Sequence, residues 1–150
     1  MKSLKKVQTY LLAECFNKLF IGGQFVDPID GEKFPTYYPA TGELLHELPY
    51  GKAKDVEEAI SSAVDAWAEG TWADMSAADR AEIVFKIAQG IEDNLEMLAE
   101  IEAADVGKPY RQAAKVMDGA ASEGKYWCSL GKVLDADQDK PVNSGGGKGG

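Results

Sequence analysis

The spacing of apolar residues changes at Lys54, and that change limits what the chain can fold into more than any other feature. From there Val56, Ala59, Ile60, Ala63, Val64 and Trp67 fall at i, i+3, i+4, i+7, i+8 and i+11, the stripe of a surface helix. Gly70 stops it. Ser76, with Asp79 three residues on, offers an N-cap for a second stripe, Val84, Ile87, Ala88, Ile91, Leu95 and Leu98. That stripe predicts a long helix with a bend near Gly90. A third stripe, Ala113, Val116, Met117, Ala120, Gly124, Trp127 and Gly131, is rich in small residues and lets a neighbouring element approach closely.

Ahead of Lys54 the signals are those of short strands. Residues 19–21 and 24–26 flank Gly22-Gly23, a tight hairpin signal. Asp30-Gly31 and residues 39–42 read as turns around the extended "FPTYY", and "ELLHEL" follows as another strand. The expected fold class is therefore α/β, a small β-hairpin or meander followed by three helices. Residues 1–17 read as an N-terminal arm: the lysines and apolar residues hint at a signal peptide, but Gln8 and Glu14 interrupt the stretch and no small-residue cleavage site follows. Residues 18–134 form the body, and residues 135–150 a flexible Gly-rich tail. "GGGKGG" lacks the preceding strand, the Ser or Thr and the following helix of a phosphate loop.

Composition excludes several functions. A formal charge of −9 and a pI near 4.6 repel a phosphate backbone, so no nucleic-acid partner is expected. No run reaches the roughly 18 apolar residues of a membrane span. Cys15 and Cys128 show neither CxxC nor Cys/His metal spacing, which fits buried thiols in a reducing cytoplasm. His46, the single histidine, lies in an alternating strand with a solvent-facing or edge position expected. Trp67, Trp72 and Trp127 are expected as core or interface anchors.

The order of these features resembles the N-terminal segment of the NAD(P)-dependent aldehyde dehydrogenase family. "LFIGGQFVD", "DGEKFPTYYPATGE", "KDVEEAISSAVDAW" and "SAADRAEIVFKIAQGIEDNLEMLAEIEAADVGKPY" carry the likeness, from about Lys18 to about Lys132. Tyr38 departs from the asparagine usual before "PATGE". The resemblance implies an outer part of a cofactor-binding domain, belonging to an enzyme that oxidises an aldehyde to a carboxylic acid with NAD or NADP. It also implies that the nucleophilic cysteine, the glutamate base and the cofactor loop lie beyond residue 150. Neither Cys15 nor Cys128 sits in a nucleophile motif, so this chain is expected to be an inactive N-terminal fragment. The alternative is a non-catalytic helical module that binds full-length homologues, or itself, through stripes the missing part would cover.

"EAADVGKPY" holds the remaining expectation. Gly107 suits a left-handed helix end, Lys108 suits the negative dipole end, and Pro109 suits the start of the next helix. An acid at position 105 faces that dipole the wrong way. The resemblance implies that Asp105, with backbone carbonyls of Thr36 and Tyr37, holds a monovalent cation, K+ or Na+, as oxygen ligands suit a hard ion. The competing reading pairs Asp105 with Lys108 or a backbone N–H.

Overall fold

Gly22 and Gly23, at φ 60° and 77°, turn the chain between β1 (Leu19–Ile21) and β2 (Gln24–Val26) in the computed structural model, which describes residues 4–138. The hairpin stands where the Gly-Gly pair places it. A second antiparallel pair joins β3 (Lys33–Tyr37) to β4 (Leu44–Pro49). Its register slips between Thr36, opposite His46, and Tyr37, opposite Leu44, so Leu45 is an extra residue on β4. Such a bulge re-aims a side chain. Here it sends Leu45 into the core while Leu44 stays about half exposed.

Ahead of the sheet, α1 (Leu4–Tyr10) and a 3-10 turn at Glu14–Phe16 form the N-terminal arm. The arm is not peripheral. Val7 and Leu11 are buried against Leu45 and Ala104, with Leu4, Phe16, Tyr38 and Ile101 packed around them.

Helix α2 spans Ala53–Ala68. At its start the Asp55 carboxylate accepts N–H donors from Lys52 at 2.8 Å and Ile29 at 2.9 Å, tying the helix to the turn after β2. These two donors, the Lys52 one first, hold the Asp55 carboxyl below its usual value. Because the folded-state pKa is the lower one, this stabilisation is complete above about pH 4 and is lost as pH falls through the unfolded and then the folded value. Asp55→Asn is therefore expected to lower the urea midpoint near neutrality by a clear margin, with the gap to wild type closing under acid conditions; urea unfolding across pH checks it.

Helix α3 (Ala77–Asp93) starts on the predicted cap, Ser76 Oγ accepting the Asp79 N–H at 3.1 Å. The long second helix is two helices, because the chain breaks at Asn94 rather than bending near Gly90. Asn94 leaves the helical conformation and its Nδ2 donates to the Gly90 carbonyl at 2.9 Å, side-chain competition that opens the ladder. Helix α4 (Leu95–Val106) follows, and four helices stand after the sheet instead of three. Helix α5 (Tyr110–Gln138) runs past the expected boundary at 134; the Gly-rich part of the tail lies outside the described residues.

The helices pack through small residues. Helix α3 lies along α5, with Ala81, Ala88, Ala113, Ala121 and Cys128 buried. A Cβ placed on Gly124 would stand 2.9 Å from Cβ of Ala88, and one on Gly131 3.7 Å from Cβ of Ala81. Two contacts seven residues apart on each helix set the crossing. The expected stripe on α5 is thus displaced: Ala120, Val116 and Trp127 face outward, because backbones this close exclude bulky side chains from the seam.

Candidate functional site

The end of α4 gathers the residues with chemical potential. Gly107 takes the left-handed conformation, φ 72° and ψ 14°, so the chain turns sharply out of the helix. The Pro39 ring closes over it: a Cβ on Gly107 would meet Pro39 Cβ at 3.1 Å. The segment after β3 and the end of α4 are thereby brought together. Pro109 follows and accepts the Gln112 N–H at 2.8 Å, starting α5.

Asp105 is exposed at this corner, in the last turn of α4. Lys108 does not answer it. Its Nζ pairs with Glu102 Oε1 at 2.5 Å, which removes the competing Asp105–Lys108 contact. Thr36 Oγ1 donates to the His46 carbonyl at 3.2 Å, and Tyr37 lies beside the β4 bulge with its side chain about half exposed. Among the described residues no cluster of three or more His, Cys, Asp or Glu could hold a metal ion.

A groove of about 660 Å³ runs beside this corner, between α1 and the α4–α5 turn, lined by Leu4, Val7, Tyr38, Glu100, Lys108 and Tyr110. Glu100 is buried on α4, and Lys6 of α1 reaches it at 3.0 Å and Glu96 at 3.4 Å. The pairing joins residues 94 apart, so no periodicity along the chain could have announced it.

The other sequence candidates separate. Cys15 is exposed and Cys128 buried, both as free thiols. His46 takes the edge position, half-buried on β4 of the two-stranded β3–β4 sheet: its Nε2 lies 3.2 Å from Asn17 Oδ1, and burial, then the nearby Lys33, push its pKa down. Trp67, Trp127 and Trp72 stay 71%, 64% and 44% exposed, so none is a core residue here. Val56, Ile60, Val64 and Trp67 form an outward stripe on α2, each more than half exposed.

A family model for the aldehyde dehydrogenase family matches residues 25–148. This chain belongs to the aldehyde dehydrogenase family. A mitochondrial benzaldehyde dehydrogenase of Antirrhinum majus is 41% identical over 101 residues, 67% of this chain and 19% of that protein. Aldehyde dehydrogenase 1 of Tanacetum cinerariifolium is 41% identical over 108 residues, 72% of this chain and 22% of that protein. The chain thus spans about a fifth of the length of the curated relatives it matches.

Solved structures agree on the fold. A betaine aldehyde dehydrogenase from Staphylococcus aureus in complex with NAD+ superposes with a TM-score of 0.80 at 25% identity, over 85% of this chain and 25% of that one. An aldehyde dehydrogenase of Bacillus cereus gives a TM-score of 0.76 at 37% identity, over 83% of this chain and 25% of that one. Helix α1 lies ahead of the residues that the family model matches. No helix among the described residues is long and apolar enough to cross a membrane.

Proposed function

We propose that this chain is the N-terminal part of an NAD(P)-dependent aldehyde dehydrogenase and supplies scaffold without reacting groups of its own. The match over residues 25–148 carries this reading. In the intact enzyme the nicotinamide cofactor takes up hydride as an aldehyde becomes a carboxylic acid. The thiols of this chain do not fit the nucleophile's role: Cys128 is buried in the helix seam, and Cys15 lies in the 3-10 turn of the arm, ahead of the family match. Helices α3, α4 and α5 pack against one another, a rigid body of the kind that keeps reacting groups elsewhere in register. The free thiols support a reducing cytoplasm as the compartment; the Antirrhinum relative is named as mitochondrial.

A graft tests the reading. Residues 18–138 in place of the matching stretch of the Bacillus cereus enzyme are expected to leave aldehyde oxidation within about tenfold of the parent, while the 150-residue chain alone forms no reduced nicotinamide. A folded graft without activity, or dehydrogenation by the chain alone, would refute it.

A second reading rests on the exposed stripe of α2. That face suits association with a full-length homologue or another copy of this chain, and stoichiometric co-purification with a longer homologue would support it.

The cation belongs with the first reading. Asp105 with oxygens of Thr36 and Tyr37 would hold K+ or Na+ and fasten the end of β3 to the end of α4. Potassium at tenfold over its Kd is then expected to stabilise the chain by about 1.4 kcal/mol relative to choline chloride at equal ionic strength, and Asp105→Asn to abolish the difference. Equal melts in the two salts would reject the site.

A further inference from the structure

We infer that residues 4–17 form a clasp that opens as a unit while the helical body stays folded, and that the ion pairs of Lys6 with Glu96 and Glu100 hold it shut. At seven residues α1 is far too short to be helical in isolation, so its conformation depends on docking. That docking is concentrated. Val7 and Leu11 insert between Leu45 and Ala104, Gln8 Nε2 donates to the Leu44 carbonyl at 3.0 Å, and Lys6 reaches Glu96 and Glu100.

The groove of about 660 Å³ opens beside this docking, between Leu4 and Val7 of α1 and the end of α4, so packing of α1 on α4 is incomplete. Atoms that face such a space forfeit dispersion contacts, which weakens the hold on α1. The elements it packs on are α4 and β4, whereas the seam of α3 with α5 is built from Ala81, Ala88, Ala121, Gly124 and Gly131. Opening α1 breaks none of those seam contacts. Local opening well below the global unfolding energy is the expected behaviour of such a segment.

The charges make closure selective. The Glu100 side chain is only 5% exposed, and a carboxylate buried to that degree loses heavily when a cationic partner is removed. Lys6 is itself 38% exposed, so salt reaches the pair from the Lys6 side. Release uncovers Leu45, Ile101, Ala104 and Tyr38 together, a surface the closed chain hides. Helix α1 lies ahead of the residues the family model matches, and the clasp does not rest on the enzymatic reading.

Hydrogen–deuterium exchange on the full 150-residue chain tests it. In wild type, α1 amides are expected to exchange faster than those of α3 and α5 but slower than an unprotected peptide. Lys6→Met is expected to speed exchange in α1 by about tenfold with α3 and α5 unchanged. Raising NaCl from low salt to about 1 M, where the screening length is about 3 Å, shifts wild-type α1 in the same direction and gives the answer even if the variant fails to fold. The inference is overturned if α1 exchanges in step with α5, if it is unprotected in wild type, or if neither salt nor Lys6→Met moves it.

Discussion

Gly124→Leu is expected to destabilise the chain by about 3 kcal/mol, read as a drop in the urea midpoint with an unchanged slope. The reason is distance. A single Cβ at position 124 already stands 2.9 Å from Cβ of Ala88, inside any normal contact, and that contact is backed by the α3 backbone at 3.9 Å. Leucine adds three further carbons to a seam whose other contact, Gly131 against Ala81, is also close, so α3 and α5 must separate along their shared length. Gly119→Ala is the control. It lies on the same helix, nothing stands within 4 Å of its added Cβ, and it is expected to stabilise by about 0.5–1 kcal/mol through lower unfolded-state entropy. Equal effects of the two substitutions would show that the seam is not where the structure puts it.

Leu45→Ala is expected to cost about 2–4 kcal/mol. Among the described residues no large side chain is fully buried, and Leu45, with Val7 and Leu11, is among the best-buried apolar side chains that the fold possesses. Its truncation leaves a hole between α1, β4 and α4, where Val7, Leu11 and Ala104 pack with it. Leu44→Ala, one residue away, is expected to change stability by no more than about 0.5 kcal/mol, because that side chain is 47% exposed. Urea unfolding of the two variants side by side decides the matter. Similar losses would mean that the bulge at Leu45 does not direct that residue inward.

Much of the site was legible in the chain and part of it was not. Gly107 and Pro109 act as helix-end chemistry requires, since capping depends on residues a few positions apart. The partner of Lys108 was not legible: Glu102 and Asp105 are both within reach on paper, and only the path of the turn around Gly107 selects Glu102. Tyr38 and Glu100 gave no local signal, because they acquire meaning only when α1 folds back on α4. The Asn94 break was missed for a similar reason. The apolar stripe continues through it from Ile91 to Leu95, and stripe periodicity does not register a side chain bonding its own backbone.

Local chemistry therefore determined the hairpin at Gly22-Gly23, the cap at Ser76, the stop at Gly70, the left-handed end at Gly107 and the membership of the family, since each depends on residues near one another along the chain or on their order. The tertiary structure alone decided which of two adjacent leucines is core, which face of α5 meets α3, and that the first helix packs over Leu45 and Ala104. Those outcomes depend on how closely two backbones can approach and where the sheet slips register, and both are set by segments far apart in the chain.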